Sequence, residues 1–538
     1  MNYIIRNKKI LLLHILPFIL AMIIGACLAI KFGQDQNWDL LNYHYYNPFA
    51  FINNLNGQNF APAQLQTFYN PIIDLLPFLL INHLQPIFAG AIIGSIQGIN
   101  IFLVYEISIV ILSGFEKSKK IYLLSGIIAI ASFFGAVNLT EIGGTMGDNV
   151  ISIPILTSLF LIFCLVLKKY TYINNHPIVF RFLAYITSGI ATGLKLTCIP
   201  FIAALLLIDI IDKKSLREWI KIETINGIGL IVGFFISYGF WAINLLHRFN
   251  NPFFPYFNKY FNSPFYPKEN FYGVKYLPHD IVQAFFYPFY FIQKQHIVSE
   301  EFFKDPRLAI LLLLLIFLSI YIFLTYIIHK LTKPVMNKSI ISLTIFISVS
   351  YILWEIVYSY YRYLEPVEFL SLLLISCILL SLIKSINLVI VFSFVLFFIC
   401  TISTIPMNYG RIHWQKTWFG VVIPKDYLIN NSTILITGND PVSFLVPFFD
   451  KSNAFIRTQG NIYQSNGPYF DLINNSINTK KDNHSNFYMI ITADESRFGN
   501  ITERTFGFKT QSCRSINTYN SQYIVMNLDF YQICKLDY

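Results

Sequence analysis

The stretch LLLHILPFILAMIIGACLAI, residues 11–30, decides the class of fold. It is an apolar run of about 20 residues, which is the length that a helix needs to cross the hydrocarbon core of a bilayer. The whole chain follows the same composition: 55% of its 538 residues are hydrophobic, 13% are charged, and the mean hydropathy is +0.54. These values exclude a soluble globular chain and indicate an α-helical polytopic membrane protein.

The charged start and apolar core of this segment also resemble a signal peptide, and IGAC, ending at Cys27, resembles a lipoprotein cleavage site. The length of the apolar run favours an uncleaved first helix. In either case we expect the next stretch, FGQDQNWDLLNYHYYNPF at 32–49, to lie on the outer face.

The basic residues predict the topology. The net charge is +10, but much of the Lys and Arg lies in short clusters between apolar runs, which is typical of orientation signals rather than of a nucleic-acid site. The clusters are Arg6/Lys8/Lys9, Lys117/Lys119/Lys120, Lys168/Lys169/Arg181, Lys213/Lys214/Arg217/Lys221 and Lys330/Lys333/Lys338. Placing them all in the cytoplasm predicts spans near 10–30, 87–112, 121–137, 149–167, 223–245, 308–329, 339–358, 366–383 and 387–405.

Residues 182–211 run from one cytoplasmic cluster to another, so they must go out and come back. This leaves roughly 14 residues for each limb, which is too short for two full spans, and predicts two short helices that meet around GLKLTCIP. The count is then about eleven membrane segments in a bacterial inner (cytoplasmic) membrane. The N-terminus is predicted inside and the C-terminus outside.

The predicted outer connections hold most of the polar residues. They comprise 31–86, 138–148, 246–307, a turn around 359–365 and everything beyond 406. Because the cytoplasmic connections are short and basic, any chemistry is expected on the outer face.

The tail, 406–538, differs from the membrane domain, 1–405, and predicts a small exported α/β domain. Its β-rich runs are STILITG, NFYMIITA and SQYIVMNLDFYQI, and Asp440-Pro441 is a predicted helix start. Cys513 and Cys534 both fall in this domain, where an oxidising compartment would permit a disulfide.

Two acids, Asp35 and Asp39, follow the first predicted span closely. Tyr43 stands four residues after Asp39, so both would share one helical face. The alternative is that the acids are solvated and that the aromatic residues form an interfacial belt.

In the second outer loop, NLTEIGGTMGDN, Glu141 and Asp148 surround three glycines. Such a loop can bring amides and carboxylates to a phosphate or a metal, although a tight polar turn explains it equally well.

Two cations are candidates for binding a phosphate. Lys195 lies in the middle of an apolar segment, where an ionisable side chain is costly and suggests function, with snorkelling to the headgroups as the alternative. Arg362, in YSYYRYLEPVEFL, could bind phosphate oxygens with two parallel N–H groups; a local ion pair with Glu365 or Glu368 is the competing explanation.

The acidic motif and aromatic residues after the first span (WDLLNYHYY), the acidic second outer loop and the late RYLEP resemble the GT-C class of integral membrane glycosyltransferases, which use polyprenyl-phosphate sugars. The resemblance covers about residues 1–405. It implies that Asp39 is the catalytic carboxylate, with Asp35 as the rival. Members of the class often have adjacent acids, whereas Leu40 follows Asp39 here, so the choice stays open.

The resemblance further implies that Lys195 and Arg362 bind the donor phosphate and that Glu141 and Asp148 correspond to the second-loop acid. Tyr43 and His44 are predicted to line the substrate-binding site. The expected partners are a polyprenyl-phosphate-linked sugar, membrane lipid and an envelope glycan, lipid or protein acceptor, without nucleic acid. A divalent metal ion on the acids stays possible.

Other functions remain open. The region RFNNPFFPYFNKYFNSPFYPKENFYG would suit a rigid loop that stacks on sugars, or an amphipathic surface loop, and Asp74 is predicted to face inward from a surface helix. A transporter or lipid flippase would also bury Lys195 but usually shows repeated halves. An O-antigen ligase or polymerase would rely on outer-loop arginines and on His44 or His279, and a purely structural protein is the simplest rival. Motifs of the type GxxxxGK[ST], HExxH and CxxC do not occur in the sequence, which disfavours an ATP-driven pump or a zinc protease.

Overall fold

A computed structural model of the chain describes residues 11–210, 215–270, 273–293, 295–329, 337–383, 385–462, 467–519 and 530–538. Three sets of predicted orientation signals, at 6–9, 213–214 and 330–333, lie outside those ranges. The same is true of residues 521–529 in the third predicted β-rich run.

Helices make up most of the chain as far as residue 403. In chain order they are Leu16–Phe32, Tyr46–Ile52, Ile72–His83, Pro86–Leu112, Lys120–Phe133, Ala136–Glu141, Asp148–Val166, Thr171–Asn175, Pro177–Leu194, Ile199–Ile210, Leu216–Phe249, Asn258–Phe261, Ile281–Phe285, Tyr287–Gln293, Arg307–His329, Lys338–Val357, Glu365–Leu382 and Ile386–Ser403. Within the described ranges, nine helices are long and apolar enough to cross a membrane. Two further predicted segments, Lys120–Phe133 and Leu196–Asp209, are shorter apolar helices, so the count of eleven stays a prediction.

The predicted break around GLKLTCIP is confirmed, because the helix Pro177–Leu194 ends at Lys195 and a new helical segment follows at once. The first limb is longer than predicted, with 18 residues, since it begins at Pro177 rather than near 182. Pro is favoured in the first turn of a helix. Arg181, in this first limb, was predicted to be an orientation signal only. Its side chain is instead buried and forms an ion pair with Asp209 of the second limb.

Small residues allow two pairs of helices to pack closely. Leu16–Phe32 lies against Pro86–Leu112, where a Cβ added to Gly25 would stand 2.1 Å from the carbonyl oxygen of Gly94. Pro177–Leu194 lies against Leu216–Phe249 in the same manner, and there a Cβ on Gly233 would stand 2.1 Å from the carbonyl oxygen of Ile186. Close backbone approach of this kind is the usual packing of membrane helices.

The tail contains the predicted α/β domain. Its strands, after the two-residue pair β1 (Gln34–Asp35) and β2 (Arg411–Ile412), are β3 (Thr433–Ile436), β4 (Ala454–Arg457), β5 (Phe487–Thr492), β6 (Lys509–Ile516) and β7 (Tyr531–Asp537). The sheet order is β4-β3-β5-β7-β6, in which β4, β3 and β5 are parallel and β7 and β6 are antiparallel to their neighbours. The helices are Pro468–Asp482 and Ser496–Phe506; at the start predicted for Asp440-Pro441 the chain forms only a short 3₁₀ helix, Ser443–Phe448.

The predicted disulfide between Cys513 and Cys534 is present and joins paired positions of β6 and β7. Because it closes a separation of 21 residues, we expect the double replacement by serine to lower the stability of the tail by about 3 kcal/mol. Limited proteolysis of the full-length protein, with and without reductant, measures this: reductant should speed cleavage of the wild-type tail and leave that of the double variant unchanged. Equal rates for both proteins without reductant would contradict it.

Two backbone pairings join the first outer loop to the tail. From the first outer loop, Phe60 accepts a hydrogen bond from the Arg457 backbone (3.0 Å) and donates one to the carbonyl of Phe455 (2.8 Å), which extends the edge of the tail sheet. In return, β2 of the tail pairs with β1 directly after the first membrane helix. The tail therefore packs directly onto the first outer loop.

Candidate functional site

The guanidinium of Arg362 is the centre of a buried charged cluster. It lies on the 3₁₀ turn Tyr361–Leu364, and its Nη2 donates a hydrogen bond of 2.9 Å to Asp39 Oδ2. Its Nε lies 3.1 Å from Asp148 Oδ2 and 3.8 Å from Glu141 Oε1. The structure thus brings the predicted acids of two separate outer loops to one predicted cation.

The competing explanation for Arg362, a local pair with Glu365 or Glu368, is wrong. Glu365 Oε2 accepts a hydrogen bond of 3.2 Å from Ser152. Glu368 accepts from two backbone N–H groups at the start of the helix Ala136–Glu141, at 3.1 and 3.3 Å. Because carboxylates at a helix start stabilise it, Glu368 fixes the helix that ends at the acid facing Arg362.

Lys195 joins the same cluster from the break between the two limbs. Its Nζ contacts Asp148 Oδ1 and lies 3.4 Å from the carbonyl oxygen of Met146. It also stands 5.1 Å from the centre of the Tyr363 ring. The side chain is only 19% exposed and contacts these partners inside the protein. This position does not fit the alternative, in which the side chain extends to the lipid headgroups.

Asp39 and Asp35 have different environments. Asp35 is buried and accepts hydrogen bonds from the backbone and hydroxyl of Thr145 (2.8 and 2.9 Å) and from the backbone and side chain of Asn37. Asp39 keeps 17% of its side chain exposed and bonds to Arg362. Asp35 therefore anchors the second outer loop, whereas Asp39 is partly accessible and is paired with the Arg362 cation.

Burial and charge act in opposite directions on two acids of the cluster. Burial raises the pKa of Asp39, but the charges of Arg362, His44 and Lys195 together outweigh burial, so its pKa lies below the ordinary value. Burial also raises the pKa of Glu141, and the nearby Asp148 raises it further, so the net pKa lies well above the ordinary value. The surroundings therefore favour the ionised form of Asp39 and the protonated form of Glu141.

Glu141→Gln, which copies the protonated form, is therefore expected to be tolerated. A group with a raised native pKa loses its stabilising contribution as the pH rises above its unfolded pKa. We expect the wild type to lose stability relative to the variant between pH 5 and pH 8. Thermal unfolding of both proteins at the two pH values tests this, and a variant that becomes the less stable protein at pH 8 would overturn the assignment.

The polar atoms of this cluster are incompletely satisfied within the described part of the chain. Arg362 Nε forms no aligned hydrogen bond, although Asp148 lies nearby, and its Nη1 faces the sulfur of Met146 at 3.1 Å. Glu141 and Asp148 interact with each other, and this contact raises the pKa of Glu141. Buried polar groups are almost always bonded, so the poorly paired N–H groups of Arg362 mark a place where an additional acceptor can bind.

The second outer loop uses its amides for its own structure. Gly143 and Gly147 adopt left-handed backbone conformations, with φ of 70° and 88°. The Thr145 amide donates to Asp35, and the Asn149 amide donates to Glu141 Oε2 (3.1 Å). These two amides therefore bind within the protein, and the loop orients its two acids.

Two residues from the start of the tail complete the site, and sequence reasoning missed both. The Tyr409 ring lies 5.9 Å from the Arg362 guanidinium. Arg411 in β2 donates to the carbonyls of Thr140 and Ile142, at 2.8 and 2.7 Å, and so secures the second outer loop. Only the spatial pairing of β1 with β2 reveals their role.

Aromatic residues surround the cluster. Tyr360 and Tyr363 lie 5.5 and 5.9 Å from the Arg362 guanidinium. Tyr69 meets the hydroxyl of Tyr256 at 2.8 Å, which brings the predicted aromatic outer region to the site. Such rings can stack on sugar faces or stabilise a cation.

The predicted lining residues Tyr43 and His44 are buried next to Asp39. The Tyr43 ring packs edge-on against Tyr69 at 5.4 Å. His44 Nδ1 lies 2.6 Å from Asp74 Oδ1, so the prediction that Asp74 faces inward is confirmed. Among the described residues, His44 Nε2 has no hydrogen-bond partner.

A small cavity, with room for about one water molecule, extends from the cluster between helices. Its lining includes the charged residues Asp148 and Arg362 and the apolar residues Ile151, Ile155 and Phe201. In the part of the chain that the structure describes, His, Cys, Asp and Glu side chains are not grouped in threes suited to a metal ion. The acids of the cluster face Arg362 and Lys195, and the divalent ion stays an open prediction.

Comparison of the chain with protein-family models and with curated proteins gives no match in either case.

Proposed function

We propose that this protein is an integral membrane glycosyltransferase of the GT-C type. It would move a sugar from a polyprenyl-phosphate donor to an envelope glycan, lipid or protein acceptor on the outer face of a bacterial inner membrane. The observation that carries the proposal is Arg362: a buried guanidinium whose Nε and Nη1 lack good acceptors and whose Nη2 contacts the partly exposed carboxylate of Asp39.

Arg362 and Lys195 supply the charge that the departing phosphate needs. A guanidinium can donate two parallel hydrogen bonds to phosphate oxygens, and an ammonium adds a compact second charge. Groups already in place in a dry site stabilise developing charge strongly.

Asp39 would take the proton of the acceptor hydroxyl. The acceptor oxygen forms a bond to the anomeric carbon as the bond from that carbon to the phosphate oxygen breaks, and the electron pair stays on the phosphate. Tyr360, Tyr363 and Tyr409, whose rings surround the Arg362 guanidinium, would contact the sugar next to the cations. Export of the site, predicted from the basic clusters, supports a lipid-linked donor over a nucleotide sugar.

The test is transfer of radiolabelled sugar from a panel of polyprenyl-phosphate donors to cell-envelope glycan by the purified full-length protein. Transfer by the wild type that is lost in Asp39→Asn supports the proposal. Absence of transfer from every donor, together with movement of the labelled lipid across the bilayer of a vesicle, would favour a flippase instead.

The buried His44–Asp74 pair supports a second candidate, an O-antigen ligase or polymerase that uses a histidine. The two candidates differ in their dependence on Asp39 and His44. If the protein is a ligase, His44→Ala should abolish its activity, whereas Asp39→Asn should stay active. The glycosyltransferase proposal expects the reverse order of effects.

A further inference from the structure

The N–H groups of Arg362 have partners of unequal quality. Nη2 donates a hydrogen bond of 2.9 Å to Asp39, while Nη1 faces only the sulfur of Met146. Nε stands 3.1 Å from Asp148 but is not aligned with it. Both edges through which a guanidinium can bind a phosphate with two parallel N–H groups include Nη2, so such a phosphate meets Asp39 at this nitrogen, where the two negative charges repel each other.

Of the three acids near Arg362, Asp39 is the one most easily displaced. Its side chain is 17% exposed, against 2% for Asp148 and 0% for Glu141. Asp148 is also held by Lys195, and Glu141 by a backbone N–H group. Asp39, at the start of the π-helical turn Leu40–His44, makes no capping bond of its own.

We propose that the donor phosphate takes the place of Asp39 on Arg362, and that the carboxylate released by this exchange then accepts the proton of the acceptor hydroxyl. This inference rests on the proposed function. Donor binding would thus activate the base, and the resting site would hold the carboxylate as a substitute for the phosphate.

The charges around Asp39 explain why the exchange matters. Those that face it are Arg362 from the turn before the helix Glu365–Leu382, His44 from its own turn, and Lys195 from the break between the two limbs. The buried Asp74 and Tyr43 face it as well. When the phosphate neutralises Arg362, Asp39 loses its closest cation and becomes a stronger base.

The first arm of the experiment measures binding of a polyprenyl phosphate without sugar to the full-length wild type and to Asp39→Asn in the same detergent. Removal of the competing carboxylate is expected to tighten binding at least about fivefold, although this variant transfers no sugar. Asp39→Ser provides the same test if the Asn variant does not fold. Equal or weaker binding by the folded variants would overturn the exchange and leave the proposed function standing.

Two control variants locate the binding site. Asp471→Asn removes one negative charge from an exposed position on a tail helix and should leave binding unchanged. Arg362→Lys keeps the charge but loses the paired N–H groups, so it should weaken binding about tenfold. A wild type that does not bind the lipid, or an Arg362→Lys variant that binds it equally well, would overturn both the exchange and the proposed donor site.

Inorganic phosphate forms the last arm. Competition by free phosphate that is stronger in Asp39→Asn than in the wild type would show that the phosphate group alone displaces the carboxylate. An equal effect in both proteins would overturn the exchange.

Discussion

Asp39→Asn is expected to lower kcat by about 100- to 10,000-fold while leaving the protein folded. The amide keeps the shape of the side chain and can still accept a bond from Arg362, but it cannot take a proton from an acceptor. Asp39 is partly exposed and has few partners, so its neutralisation removes little structure. The measurement is the rate of sugar transfer per molecule of folded protein, with a donor that the wild type uses.

Asp35→Asn is the matched control, since it makes the same change four residues earlier. Its carboxylate accepts bonds from Thr145 and Asn37 inside the protein, so the variant should lose about 1–3 kcal/mol of stability. The fraction that stays folded should transfer sugar at a rate close to that of the wild type. If Asp35→Asn lowers kcat as strongly as Asp39→Asn without loss of stability, the assignment of the base is wrong.

The pH dependence adds a second check on Asp39. Its native pKa lies below the ordinary value, so its pair with Arg362 stabilises the fold above the unfolded pKa, and this contribution is lost as the pH falls through the native pKa. The difference in thermal stability between the wild type and Asp39→Asn should therefore shrink as the solution becomes acidic. A difference that grows in acid would contradict the ion pair.

The predicted residues that the structure brings into the cluster include two whose position is costly. These are Lys195, an ionisable residue within an apolar segment, and Arg362, at a predicted membrane boundary. The long apolar helices were predictable for a related reason, because a run of about 20 apolar residues suits burial in lipid. The burial of Asp74 followed from its position in an amphipathic surface helix.

Other parts of the site depend on contacts between distant segments. Arg411 and Tyr409 reach the cluster because β2, two residues long, pairs with β1 across most of the chain, and no local pattern marks so short a pair. The different environments of Asp35 and Asp39 are visible only from their hydrogen bonds. The role of Glu368 also became visible only when the helix that it stabilises was located.

Arg362→Ala should have the largest effect of any single change, because it removes the cation that Asp39 and Asp148 share. Breaking a buried ion pair by removing one partner typically costs about 3–5 kcal/mol, since the remaining charges are left uncompensated. We expect donor binding and sugar transfer to be lost and thermal stability to fall sharply. Purified protein in detergent, compared by thermal unfolding at pH 8 and pH 5, measures the effect on stability.

The direction of the pH effect separates this mechanism from a simple packing defect. In Arg362→Ala the acids repel one another when ionised, and protonation relieves the repulsion, so the variant should regain part of its lost stability at pH 5. A packing defect would cost the same at both pH values. Arg362→Lys keeps one charge and should recover most of the stability at pH 8, yet remain a poor enzyme because an ammonium lacks the planar pair of donors for the phosphate. Full activity in Arg362→Lys would show that charge alone suffices, and the bidentate role of Arg362 would then be wrong.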